Sequence, residues 1–289
     1  MIPSRPSSPH VGRFRLRRLR VRTSPPSRFT LPPSLFTLLL LLLGGCASWE
    51  EVSPGVAYRQ FDLPSGPVHV ARLDLRVADS TLMASNESDR GLTVSEFAER
   101  HSAIIAVNAD YFDESLQPVG LAIGSCGRWA EPATVRRQPI LAIGERRAEI
   151  IAPIQAGDPV GHWTRGAVSG WPQLVRDCRA LSSEELPGSD HFTRAVHPRT
   201  AVAISEDGAR LFLVVADGRS TTARGMTLPE LGTFIRERLK ACEALNLDGG
   251  GSTEMVIRGR IVNQPSDGSE RKVGNHLAIV PAGYEPPCE

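Results

Sequence analysis

The chain has 289 residues, 41% of them apolar and only 6% aromatic, with 33 basic side chains against 32 acidic ones for a net charge of +1. The first 45 positions carry eight arginines and no acidic residue, so the remainder is acidic, which argues against a nucleic-acid partner. So few aromatics also argue against a long aromatic strip for sugar chains, and about 240 residues past the N-terminal segment suffice for one large domain or two small ones.

Residues 1–34 are rich in Arg, Pro and Ser, with Arg13, Arg15, Arg17, Arg18, Arg20 and Arg22, and Leu35 to Leu43 is almost pure leucine. An apolar run this short cannot span a bilayer. A basic stretch, a short apolar core and small residues after it make a secretory signal. Leu43-Gly44-Gly45-Cys46 resembles a lipobox. The expectation is a signal over 1–45, an acylated Cys46, a tether over 46–54 and a domain over 55–289. Ala47 follows, with no Asp to favour inner-membrane retention. The chain therefore reads as an exported outer-membrane lipoprotein, touching the membrane through its lipid alone.

Ala71, Leu73, Leu75 and Val77 alternate with Arg72, Asp74 and Arg76, the pattern of a half-buried strand. Thr93-Val94-Ser95-Glu96 is a capping box opening a helix toward His101. Ala103 to Val107 has strand length and delivers Asn108-Ala109-Asp110-Tyr111-Phe112. Residues 180–197 are polar and read as a loop insertion. Ala201 to Ser205 and Leu211 to Ala216 flank Glu206-Asp207-Gly208 as a hairpin. Thr227-Leu228-Pro229-Glu230 opens a second helix, with Leu231, Phe234, Ile235 and Leu239 on one face. Ala244 to Leu247 is a short strand, and Met255 to Arg258 pairs with Arg260 to Asn263 around Gly259. Hairpins dominate, which predicts an α+β fold with a mixed, mostly antiparallel sheet. Cys126, Cys178, Cys242 and Cys288 form an even set in an exported chain and predict two disulfides. Of three pairings, Cys126–Cys178 with Cys242–Cys288 is preferred because its loops do not interleave. None has C-x-x-C spacing, so no zinc site is expected.

The most informative stretch is Asn246-Leu247-Asp248-Gly249-Gly250-Gly251-Ser252-Thr253. Three consecutive glycines cost more backbone entropy than any other triplet, and they permit left-handed angles and close approach to the main chain. A carboxylate before them and two hydroxyls after them surround a row of bare N–H donors, which suits a phosphate or a cluster of sugar hydroxyls. No Lys follows, so this is not a P-loop. Asn108, Asp110, Arg199, Asp217, Arg219, Asp248, Asn263 and Asn275 all sit at ends of predicted apolar strands, where sites are built.

Taken in order, these landmarks resemble the phosphodiester glycosidase family over about residues 55–281. The matching segments are Ile105 to Phe112, Pro118-Val119-Gly120, Ser169 to Val175, Pro198-Arg199-Thr200-Ala201 and Val215 to Arg219. Leu247 to Thr253, Asn263 to Asp267 and Val273 to Leu277 complete them. The resemblance implies cleavage of the sugar–phosphate linkage in a phosphodiester, releasing the sugar and leaving a phosphomonoester. Asp110 departs from the family, standing where many relatives have glycine.

The residue types suit that reaction. A planar guanidinium can hold the phosphodiester charge bidentately. Arg199 is the first candidate, with Arg219 and Arg271 behind it, and the amides of Gly249, Gly250 and Gly251 can share the oxygens with Ser252, Thr253, Asn108 and Asn275. Glycosidic cleavage needs carboxylates. Asp248 is the first, with Asp110, Asp217 and Glu254 as candidates for the second. No cofactor is required, although converging carboxylates could take a divalent cation. Two rivals remain. A non-catalytic envelope lipoprotein binding glycans would keep the loop and lack a paired acid. A hydrolase with Ser252 as nucleophile would need His197 or His276 beside it.

Overall fold

The computed structural model describes residues 48–77, 79–131, 138–155 and 157–288. Cys46 and residues 1–45, with the acylation and cleavage expected there, lie outside the described residues. In chain order the strands are β1 (Glu50–Ser53), β2 (Val56–Leu63), β3 (Gly66–Asp74), β4 (Ser80–Ala84), β5 (Ile105–Asn108) and β6 (Ala122–Gly124). Next come β7 (Gly127–Ala130), β8 (Gln138–Ile143), β9 (Ala148–Ile154), β10 (Gly166–Ser169), β11 (Gln173–Arg176) and β12 (Arg179–Ala180). The last six are β13 (Arg199–Ser205), β14 (Arg210–Ala216), β15 (Ala241–Asn246), β16 (Met255–Ile257), β17 (Arg260–Ile261) and β18 (His276–Pro281). Among the described residues three α-helices interrupt them: α1 (Val94–Arg100), α2 (Asp190–Arg194) and α3 (Leu228–Phe234).

The strands form an eight-stranded sheet ordered β1-β2-β3-β14-β13-β15-β11-β12 and two five-stranded sheets, β7-β6-β10-β8-β9 and β17-β16-β5-β18-β4. The pairings are antiparallel, as the hairpin signals require. One core lies where the three sheets face each other, with Leu73, Val202, Leu213 and Leu245 from the first, Leu141 and Val168 from the second, and Ile105, Met255 and Leu277 from the third. The outer face of the large sheet is buried as well. Ala201, Ala203, Phe212 and Val214 pack against Leu228, Leu231 and Ile235 from α3 and the turn that extends it. Because successive side chains point to opposite faces, a strand covered on both sides must be apolar throughout. This is why β13 and β14 read as continuous apolar runs. α1 covers the third sheet through Val94 and Phe97.

Both predicted capping boxes form: Thr93 Oγ1 accepts from Glu96 N–H, and Thr227 Oγ1 from Glu230 N–H. Three expectations need correction. Residues 50–53, expected in the tether, form β1. Trp49 beside them packs on Phe61 and Phe212, each at 6.4 Å between ring centroids, so apolar contact draws this segment onto the sheet. The segment 180–197 is not loop throughout, since Ser189 caps α2 by accepting from Phe192 N–H. The disulfides are Cys126–Cys288 and Cys178–Cys242, not the preferred pairing. Cys178 lies in the β11–β12 turn and its N–H donates to Cys242 O at 3.0 Å, because β11 pairs with β15, which carries Cys242. The preferred and the observed pairings are both free of interleaving, so loop topology alone could not choose between them.

Candidate active site

β15 ends at Asn246 and releases the chain into the glycine turn. Gly250 has φ +63°, the left-handed conformation its residue type favours. Its N–H donates to Pro198 O at 2.9 Å, tying the turn to the start of β13. Each glycine admits a different neighbour. A Cβ on Gly249 would stand 2.7 Å from Pro198 O, and one on Gly250 would stand 3.0 Å from Arg219 Nη1. One on Gly251 would collide with the Asp267 carboxylate and the Arg271 guanidinium. The triplet is therefore a contact surface for one strand and two arginines.

Buried amide side chains hold the turn from below. Asn108 Nδ2 donates to Asp248 O at 2.7 Å, while its Oδ1 accepts from Thr200 Oγ1 at 2.8 Å and from Glu254 N–H at 3.3 Å. Asn275 Oδ1 accepts from Asp110 N–H at 2.7 Å. Both were expected to bind substrate. Each is about 1% exposed, and these bonds make them scaffold.

The four candidate carboxylates separate. Asp248 is partly exposed, and Gly249 N–H donates to its Oδ1 at 2.9 Å. Burial raises its pKa to about 6, opposed by Ser252, the Gly249 amide and Arg271. The Ser252 hydroxyl is near enough to oppose that rise yet has no partner in good hydrogen-bond geometry. Asp110 lies close behind. It accepts from Ser169 N–H at 2.8 Å, its Oδ2 is buried without a donor, and burial lifts it well above the ordinary carboxylate range. Asn275 and the Ser169 amide oppose that rise, and Asp248 adds to it. Asp110 and Asp248 thus form one electrostatic unit.

Asp217 and Glu254 are held elsewhere. Asp217 accepts from Gln264 N–H at 3.0 Å and lies 3.5 Å from His69 Nε2, whose Nδ1 meets Tyr58 Oη at 2.8 Å. Glu254 is pushed to about 9, first by burial and then by its hydrogen bond with Glu270. Burial alone would raise Glu270, but bonds from Glu254, Ser95 and Thr93 bring it below its ordinary value.

The arginines also exchange roles. Arg199 is about 3% exposed. Its Nε donates to Met226 O at 3.0 Å and its Nη2 to Ala195 O at 2.7 Å and Phe192 O at 3.4 Å. Burial pulls its pKa to about 10. The first-choice phosphate holder is mostly committed to backbone carbonyls. Arg219 and Arg271 are exposed beside Gly250 and Gly251. His197 Nδ1 accepts from Arg219 Nη2 at 3.2 Å, and Arg271 pairs with Asp267. His197 is kept below its ordinary pKa by partial burial and by Arg199 and Arg219.

Neither histidine activates Ser252. His197 faces Arg219. His276 is fully buried, meets Leu92 O at 3.2 Å, stacks on Phe97 at 4.3 Å and is lowered to about 4 by burial. Thr253 Oγ1, like Ser252 Oγ, is buried without a partner. Cys178, Glu206 and Cys242 bring potential metal-ligand atoms within 4.8 Å of one another, but the two sulfurs are joined to each other. Two residues given no role from the sequence are Asn246 and Trp171. Asn246 Nδ2 donates to Tyr111 Oη at 2.6 Å and to Trp171 O at 2.9 Å.

Residues 101–280 match the model of a family described as phosphodiester glycosidase. The chain belongs to the phosphodiester glycosidase family. Among relatives of this family, the mouse N-acetylglucosamine-1-phosphodiester alpha-N-acetylglucosaminidase is 31% identical over 145 residues, 46% of this chain and 27% of the mouse protein. The bovine protein of that name is 28% identical over 219 residues, 70% of this chain and 41% of the bovine one. The chain therefore spans less than half the length of these relatives. The catalytic domain of the zebrafish enzyme, solved auto-inhibited by its pro-peptide, shares the fold with a TM-score of 0.62 at 21% identity, covering 82% of this chain and 87% of that one.

Proposed function

We propose that the protein hydrolyses the bond between an anomeric carbon and phosphate in a sugar-1-phosphodiester of the cell envelope. The observation that carries the reading is the position of Asp248. It lies within electrostatic reach of Arg271 and of Tyr111, and it adds to the upward shift of the buried Asp110. Arg219, Arg271 and the Gly249–Gly251 turn hold the phosphate. Asp248, ionised at neutral pH, takes a proton from water as the water oxygen bonds to the anomeric carbon. The carbon–oxygen bond to phosphate breaks, and the phosphomonoester leaves with its bonding pair. A phosphate leaves at low pKa, so protonation of the leaving oxygen matters less than for an ordinary glycoside. Burial disfavours the ionised form of Asp110 and so opposes a second charge there. No cofactor enters this scheme.

We further assign the chain to the envelope as a lipoprotein acylated at Cys46, with residues 1–45 removed. Two disulfides support export, since such bonds persist in oxidising compartments. Among the described residues no helix is long and apolar enough to cross a membrane.

The test is turnover of defined sugar-1-phosphodiesters by the whole chain, with and without chelator. Free sugar and a phosphomonoester are expected. Release of a sugar phosphate and an alcohol would place the cut on the other side of phosphorus and sink the proposal. Arg219→Ala and Arg271→Ala should each raise KM, by about tenfold for loss of one charged contact. A substrate-dependent loss on chelation would add a cation to the scheme. The envelope assignment is read by fatty-acid labelling, which Cys46→Ser should abolish.

A further inference from the structure

We propose that Trp171 is the platform on which the sugar ring of the substrate stacks, and that residues 188–195 are braced to support it. The inference rests on the reading of the Asp248 pocket as a sugar-phosphate site. Asp248 has the Gly249 amide on its Oδ1 and lies within electrostatic reach of Arg271, which are groups for an anion. Asn246, two residues before it, donates from Nδ2 to Tyr111 Oη at 2.6 Å. Tyr111 Oη donates to Trp171 O at 3.1 Å, and Trp171 N–H donates to Asn246 O at 2.8 Å. With Asn246 Nδ2 on the same carbonyl, the backbone of Trp171 is fixed at both ends to the strand that delivers Asp248.

The indole itself is only half-buried. Among the described residues nothing accepts from its N–H. One part is backed by Phe192, at 5.0 Å between centroids and tilted by 36°. Gly188, at φ +120°, comes so close that a Cβ there would stand 2.7 Å from Trp171 Cη2. Phe192 belongs to α2, and Phe192 O and the carbonyl of the following Ala195 are two of the three that Arg199 grips. A buried guanidinium is thus spent on holding the support of a side chain that stays open to solvent. Asn246 Oδ1 beside it is buried without a donor.

This combination fits a pyranose. The C–H face of a sugar packs on an aromatic face, and the indole N–H serves a hydroxyl at the rim. An ordinary wall residue would need neither the double anchorage of its backbone nor the braced support. Trp171 sets specificity for the glycosyl group, while the arginines are indifferent to it.

The experiment uses the whole chain with Trp171→Ala, Trp171→Phe and, as control, Trp163→Phe in the connection between β9 and β10. Three probes are needed: a sugar-1-phosphodiester, a methyl glycoside of the same sugar without phosphate, and dimethyl phosphate without sugar. Trp171→Ala is expected to raise KM about tenfold, and Trp171→Phe about threefold, as loss of all or part of an aromatic contact does. Inhibition by dimethyl phosphate should not change. The glycoside should quench fluorescence in the wild type and in Trp163→Phe, and not in Trp171→Phe. Unchanged KM with quenching retained in Trp171→Phe would overturn the platform. Equal weakening of glycoside and dimethyl phosphate would also overturn it, as the mark of a merely structural residue. If Trp171→Ala does not fold, Trp171→Phe decides. Quenching through Trp171 without turnover of any diester would keep the platform and sink the glycosidase reading. Turnover with no response at Trp171 would do the reverse.

Discussion

At the scale of single residues, environment assigns the work. Asp248 and Asp110 are the same side chain in different surroundings, one partly exposed and ionisable near neutrality, the other sealed and pushed well above the ordinary carboxylate range by burial. Asp248→Asn should leave phosphodiester binding largely intact and lower turnover on the order of a hundredfold or more. In the wild type the ionised form works, so kcat should rise with pH through about 6 and level off above it. A profile flat from pH 4 to 8 would remove Asp248 from the base role. Glu254 offers a test of a different kind. Its folded pKa is raised to about 9, so the stability associated with its proton is present at low pH and lost as pH climbs toward 9. Glu254→Gln keeps a hydrogen-bond donor for Glu270 and cannot titrate. Melting curves should show the variant gaining on the wild type as pH rises from about 5 to 9, and parallel curves would refute the shared proton.

At the scale of elements, β5 and β15 deliver the site and the Asn108 side chain locks them together. Asn108→Ala would leave the Asp248 carbonyl, the Thr200 hydroxyl and the Glu254 amide without their partner. Chemical denaturation should show a loss of about 1–3 kcal/mol, together with reduced turnover as Asp248 drifts. An unchanged midpoint would mean that other groups hold the turn. The glycine turn was readable in sequence because its local conformation demands it: only glycine admits Arg219 and Arg271 so closely. The β13–β14 hairpin and both capping boxes were readable for the same reason, each being set by near neighbours. The role of Arg199 was not. A guanidinium beside a proline at a strand start looks alike whether it faces phosphate or the carbonyls of Met226 and Ala195, because no side-chain type marks a backbone carbonyl as its partner. Trp171 escaped because its partners Asn246 and Phe192 are distant in sequence. The β6–β10 sheet gave weak signals, with strands of three or four residues at its centre.

At the scale of the whole molecule, three sheets share one core, and two disulfides tie segments together outside it. Cys126–Cys288 joins positions 162 residues apart, tying the C-terminal segment to the β6–β7 turn. Replacing both cysteines by serine should cost about 2–4 kcal/mol, read as an earlier denaturation midpoint under oxidising conditions only. Under reducing conditions the two proteins should coincide. Thiol counting on unreduced, denatured protein should find none of Cys126, Cys178, Cys242 and Cys288 reactive. Four reactive thiols would remove the argument for export.

The strand at Glu50–Ser53 has one more consequence. Trp49 is already packed on the sheet, so an acyl group on Cys46 would hang on a leash of about 10 Å. The edge of the eight-stranded sheet would then ride against the headgroups. Catalysis on so short a leash becomes a two-dimensional affair, its rate following the surface density of neighbouring glycans rather than their bulk concentration. A flexible spacer inserted between Ala47 and Ser48 should favour soluble diesters over membrane-held ones, with the active site untouched.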